Sequence, residues 1–278
     1  MMRGLGRFSA ILLALLAFAG NSLLTRAALD GGLIGAAAFS LVRLTSGALV
    51  LGTLMLLARR NPLPRRKDVG GVIALLVYVL GFSFAYLALG AGLGALLLFG
   101  MVQATTIGAS FLLRERLDPW SIGGLALAAA GLVFLLAPGD MAPPLLPSLM
   151  MMAAGVAWGA YTLLGRGTPE PTLRTARNFI GAAILASPLF LLANSTESTS
   201  AGVVLAVLSG AVTSGLGYAI WYAVLPKLSA LTAGSAQLVV PPLTAILALP
   251  LLREPLSTDL VIASVVILGG VALTFRRG

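Results

Sequence analysis

Cysteine and histidine are both absent from the 278 residues. Without cysteine there is no disulfide framework, no thiol nucleophile and no thiolate metal site. Without histidine the chain lacks the commonest general base and the commonest metal ligand. Acids are also scarce, with nine Asp and Glu in all, and charged residues of both signs make up only 10%. Soluble domains carry roughly 25% charged residues. Metal and acid–base catalysis therefore have little to work with, and no metal or cofactor is expected. A water-facing surface is equally hard to build.

Apolar residues fill the space these absences leave. They make up 59% of the chain, and mean hydropathy is +1.02. Ten runs of roughly membrane length follow one another: 8–29, 33–58, 70–89, 92–113, 120–137, 146–165, 173–193, 201–225, 230–252 and 258–275. The first run, after Arg3 and Arg7, is too long for a cleaved leader and reads as a retained span. Between runs, all but three of the 18 Lys and Arg fall on one side of the membrane, and the exceptions are Arg26, Arg43 and Arg253. By the positive-inside rule that side is the cytoplasm, which places both termini there. The net charge of +9 is thus a topology signal, and no nucleic-acid partner is expected. The cluster Arg59-Arg60 to Arg65-Arg66-Lys67 anchors that face on anionic lipid.

One stretch is written twice. Thr105–Leu117 reads TTIGASFLLRERL and Thr244–Leu256 reads TAILALPLLREPL, matching at eight of thirteen positions with an offset of 139, half the chain. Weaker correspondences link Phe18–Ser22 with Trp158–Thr162, and Arg43–Ala48 with Arg177–Ala182. The expected architecture is an all-α polytopic membrane protein of ten transmembrane helices in two five-helix repeats. Residues 1–139 form the first repeat, 140–147 a Pro-rich periplasmic link and 148–278 the second. Five is odd, so the second copy enters the membrane inverted, an arrangement associated with alternating access around a midplane site.

Several features together resemble the drug/metabolite transporter superfamily, specifically its EamA-type members. They are the Trp158-Gly159 entry to span six, Arg43 in span two, the run from Pro241-Pro242 to Glu254, the paired Leu-Leu-Arg-Glu endings and the 5+5 layout. The resemblance covers essentially the whole chain. It implies a bacterial inner-membrane exporter of small metabolites with a cavity between the halves. Exporters of amino acids, aromatic ones included, have this form.

Candidate cavity residues are the polar and aromatic side chains inside spans, which have little use in lipid. Tyr78, Phe82 and Tyr86 step by four along span three, and Ser214, Tyr218, Trp221 and Tyr222 do much the same in span eight. Asn21 and Ser22 come from span one, Gln103 from span four, Trp158, Tyr161 and Thr162 from span six, and Ser235 and Gln237 from span nine. Such walls suit an amphipathic solute, with rings against its body and hydroxyls or amides at its polar end. The plainer alternative is an aromatic belt with interhelical hydrogen bonds. Pro241-Pro242 removes two donors within span nine and should kink or open it, as a hinge or a border of the cavity. Arg43 has three readings: a site for a substrate carboxylate, a ligand of helix-end carbonyls, or a side chain snorkelling outward. Glu115 and Glu254 read as interface anchors. No Asp, Glu or His stands mid-span, which favours facilitated export over proton antiport. The expected partners are the bilayer and a small solute, neutral or aromatic amino acids first, with no obligate protein partner. Drugs and lipid-linked sugars are the alternatives, and a non-transporting subunit is the rival from another class.

Overall fold

The computed structural model describes residues 2–112, 119–136, 143–165, 168–192, 198–228 and 236–273. Every regular element among them is helical. The helices are α1 (Met2–Asp30), α2 (Ala36–Leu57), α3 (Val69–Ala85), α4 (Ala91–Leu112), α5 (Pro119–Leu136), α6 (Leu145–Gly165), α7 (Pro171–Leu192), α8 (Ser200–Val207), α9 (Gly217–Val224), α10 (Val240–Leu252) and α11 (Thr258–Leu273). A π-helical stretch, Leu208–Leu216, joins α8 to α9 into one rod.

Among the described residues six segments are long and apolar enough to cross a membrane: 8–30, 36–57, 66–85, 91–109, 145–165 and 200–224. Shorter apolar helices cover 122–134, 240–252 and 258–270. In lipid every backbone group must be bonded within the protein, which is why apolar runs of this length become helices. Their outer faces stay apolar: Leu57, Ile122, Val133 and Val265 are exposed. The inner faces are lined by small residues that let helices close up. A Cβ on Gly159 would stand 2.8 Å from Thr105 Cβ, so α6 and α4 touch there.

Packing brings sequence-distant helices together. Helix α6 lies on α3 and α4, α7 on α2 and α3, and α10 on α4 and α1. The α8–α9 rod lies on α1 and α2, and α11 lies on α5.

Each expected run coincides with a helix, though only six of these are long and apolar enough to span among the described residues, and the bounds depart in four places, the first being α1, which begins at Met2. Helix α3 stops at Ala85, and Tyr86–Leu89 turns towards α4. The eighth rod is not uniformly α-helical. The ninth span was expected from residue 230, with its prolines in mid-helix. Instead a turn at 238–239 precedes α10, and Pro241 and Pro242 stand in its first turn. Proline has no N–H to donate, and the first helical turn is where none is required. Residues 236–237 are helical ahead of that turn, so the prolines begin the helical segment that follows a break in the span. Pro188 and Pro250, by contrast, lie inside α7 and α10. The expectations for Glu115 and Ser235, and for the link at 140–142, lie outside the described residues.

Candidate functional site

Where α1, α2, α3, α6 and the eighth rod meet, the interior is a packed group of rings around one guanidinium. Trp158 stands at its centre, with ring centroids 5.6 Å from Phe18, 5.0 Å from Tyr78, 5.6 Å from Tyr161 and 4.7 Å from Tyr218. Its indole Nε1 donates to Gln237 Oε1 at 3.0 Å. Phe82 continues the α3 stripe, 5.3 Å from Tyr78 and 4.7 Å from Tyr86. Trp221 packs edge-on to Phe18 at 5.6 Å.

Arg43 is completely buried. Its Nε donates to Ser214 Oγ at 3.0 Å, and its Nη2 donates to the Tyr78 and Tyr218 hydroxyls at 3.0 and 3.1 Å. The snorkelling reading is therefore wrong, and so is the helix-end carbonyl reading. The length of α2 places Arg43 deep in the bundle, and its helix face turns it inward to hydroxyls of α3 and of the eighth rod. The Tyr218 hydroxyl donates to Tyr78 at 3.0 Å, and Asn21 Nδ2 reaches the same oxygen at 3.2 Å. Asn21 Oδ1 in turn accepts from Ser209 at 2.6 Å and Thr213 at 3.4 Å.

The sequence-derived residues Asn21, Arg43, Tyr78, Phe82, Trp158, Tyr161, Ser214, Tyr218, Trp221 and Gln237 thus converge, and Gln103 is buried on α4. Tyr86 and Tyr222 are buried too, which rules out a place for them in an interfacial belt. Phe18, Ser209 and Thr213 escaped the sequence reading. Helical spacing held the signal: Phe18, Asn21, Ser22 and Thr25 share one face of α1, and Ser209 and Thr213 lie four apart.

The group is closed. The cavity among Phe18, Ser22, Tyr78, Phe82, Leu98, Phe99, Trp158 and Tyr218 measures about 10 Å³, space for about one water. Two different closures flank it. Towards the ends of α1 and α10, Arg26 bonds Glu254 Oε1 at 2.7 Å, Asp30 at 2.7 Å and the Tyr86 carbonyl at 3.1 Å. The other Glu254 oxygen accepts from the Ala91 N–H at 2.6 Å, satisfying an orphan donor in the first turn of α4. Arg253, in the left-handed region at φ 57°, reverses the chain at the end of α10 just before Glu254. Glu254 is therefore more than an interface anchor.

Towards the face carrying Arg59, Arg60 and Lys67, the seal is softer. Tyr161 and Tyr222 stack edge-on at 5.5 Å, and Asn178 reaches the Tyr161 hydroxyl at 3.3 Å. Beyond them a hollow of about 280 Å³ is lined by Lys67, Asp68, Thr168, Pro169, Glu170, Arg174 and Arg177. Its ion pairs are long or exposed, Arg174–Asp68 at 3.9 Å and Arg60–Glu170 at 3.2 Å. The sequence marked this face only as basic. Among the described residues no cluster of acids could hold a metal ion.

Known proteins share this sequence and fold. Residues 145–276 match the EamA-like transporter family. A Pseudomonas aeruginosa protein described as uncharacterized is 50% identical over 262 residues, covering 94% of this chain and 91% of its own length. A solved protein crystal structure superposes with a TM-score of 0.70 at 22% identity, covering 96% of this chain and 98% of that one. That last likeness concerns the fold alone. With its apolar helices and this sequence match, the chain is a multi-pass membrane protein that belongs to the EamA-like transporter family.

Proposed function

We propose that the protein exports small amphipathic metabolites, neutral and aromatic amino acids first, across the bacterial inner membrane by alternating access. In this reading the two units are inverted repeats, 1–139 and 148–278, joined by 140–147 and related by exchange of each helix with the fifth one after it. Counting the α8–α9 rod as the eighth span, the largest contacts between units come in exchange-related pairs. The third span packs on the sixth as the eighth packs on the first. The fourth packs on the sixth as the ninth does on the first, and the third on the seventh as the eighth does on the second. Second with seventh, fourth with ninth and fifth with tenth map onto themselves.

The observation that carries the functional reading is that the central group draws on both units. Asn21, Arg43 and Tyr78 come from the first, and Trp158, Ser214 and Tyr218 from the second. A site shared this way opens to one side or the other as the units rock. Its aromatic walls and hydroxyls suit an amphipathic solute, and its lack of acids disfavours cationic drugs. The compact group then corresponds to an occluded form. The hollow beside Lys67 and Arg174 serves as a cytoplasmic antechamber, and the Arg26–Glu254 clamp closes the periplasmic end. With no Asp or Glu among the described residues beside the central rings, and no His in the chain, transport runs down the solute's own gradient and carries no proton.

Counterflow into proteoliposomes preloaded with unlabelled amino acids tests this. Labelled phenylalanine, threonine or methionine should accumulate equally with and without a pH gradient. A requirement for the gradient would sink the uncoupled mechanism. Failure of every amino acid to move would sink the substrate assignment and bring forward drugs and lipid-linked sugars.

A further inference from the structure

The central group is rich in hydrogen-bond donors and short of anything to receive them. A guanidinium carries five N–H groups. Arg43 uses Nε on Ser214 and Nη2 on Tyr78 and Tyr218, all neutral hydroxyls. Its Nη1 is buried and has no partner among the described residues. Its Cζ stands 5.2 and 5.0 Å from the ring centroids of Tyr78 and Phe82, and those ring faces temper the charge without neutralising it. The acids nearest in function are committed elsewhere: Glu254 to Arg26, and Asp68 to the start of α3 beside Arg174. A buried cation without a counter-ion is costly, and a ligand that brings the anion recovers that cost. Among the described residues no carboxylate in the group answers an ammonium. The acid end of a ligand, rather than its amine, is what this chemistry selects.

We propose that Arg43 is the anion subsite of the central site and takes the carboxylate of a small aromatic or apolar monocarboxylic acid. This rests on the transport reading above. The ligand's apolar body lies against Phe18, Phe82 and Trp158, beside the existing cavity. In the closed form the Tyr78 and Tyr218 hydroxyls occupy Nη2. On loading, the carboxylate displaces them and pairs end-on with Nη1 and Nη2, the fork geometry that guanidinium and carboxylate share. An α-amino group is tolerated and not required.

Three compounds with one phenyl ring separate the ends of the ligand: phenylalanine, 3-phenylpropionate and phenethylamine. Binding to the purified full-length protein is read by thermal unfolding and tryptophan fluorescence, neither of which needs transport. Phenylalanine and 3-phenylpropionate should bind within a few-fold of each other, and phenethylamine about 10-fold or more weakly, the size of a lost charged hydrogen bond. Arg43→Lys should keep the preference for acids in weakened form, and Arg43→Gln should abolish it. Equal binding of amine and acids, or binding of none of the three to the wild type, would overturn the subsite. So would unchanged acid binding by a folded Arg43→Gln protein. Should Arg43→Gln fail to fold, the wild-type series decides alone. Acid-selective binding without counterflow would keep the subsite and sink the transport reading. Counterflow of phenethylamine but not of the acids would sink the subsite and the amino-acid assignment together, leaving transport itself standing.

Discussion

Trp158 touches four rings and donates to Gln237, so it combines a large buried surface with a directional bond. Trp158→Phe keeps most of the surface and loses the donor. The expected result is a counterflow KM raised several-fold with the maximal rate little changed, while Trp158→Ala should cost about 3–5 kcal/mol of stability in thermal or denaturant unfolding. Gly159 sets the approach of α6 to α4, where a new Cβ would meet Thr105. Gly159→Ala should cost about 1–3 kcal/mol by overpacking, read as a lower Tm. Much of this site was legible from residue types and spacing. Tyr78, Phe82 and Tyr218 are polar or aromatic side chains at helical intervals within apolar runs, which fixes a shared face. What face they share, and with whom, was not legible. The partners of Arg43 lie 35, 171 and 175 residues away in sequence. Spacing along one helix gives the depth of an arginine in the bilayer and says nothing about which hydroxyls other helices bring to it.

At the scale of elements, the ends of α1, α3 and α10 and the start of α4 are tied by two acid oxygens and one guanidinium. The Arg26–Glu254 pair is mostly sheltered, with side chains 13% and 20% exposed. Its loss falls between the values for exposed and buried pairs, about 2 kcal/mol. Arg26→Gln should lower Tm and also unfasten this end of the bundle. The chain has no cysteine, so a single Ser22→Cys can report on access. Labelling of that cysteine by a membrane-impermeant maleimide added on the clamp side should rise several-fold in the Arg26→Gln background. Unchanged labelling would show that the clamp only adds stability. Helix positions were read well from apolar run length, because lipid demands whole helices of fixed span. The break at 238–239 left no mark in the run, which stays apolar through Pro241-Pro242, while the backbone obeys the missing N–H groups. The π-helical stretch left no mark in composition at all, since Leu208–Leu216 reads like any apolar helix.

Taken whole, the molecule has one tight end and one loose end. Charge-assisted bonds of 2.6 and 2.7 Å fasten the first, whereas a hollow of about 280 Å³ lies behind a tyrosine pair at the second. Free protein should therefore admit solute first from the face bearing Lys67 and Arg174. Competition by impermeant analogues in vesicles of known orientation should be strongest from that face, and equal competition from both would contradict it. The sequence repeats one thirteen-residue stretch, with its Arg-Glu ending, at an offset of half the chain. The meeting of α2, α3 and the eighth rod at Arg43 was not legible, because contacts between distant helices depend on which faces turn inward. The π-helical stretch also bears on the whole. It holds slack in the middle of an otherwise regular rod, opposite Arg43 and Gly47. Each residue of slack passed along an α-helix turns the remainder of that helix by about 100°. A one-residue slip would carry Tyr218 off the guanidinium by a screw motion of the rod beyond the π-helical stretch. The charge at the centre could then be bared or covered by winding alone.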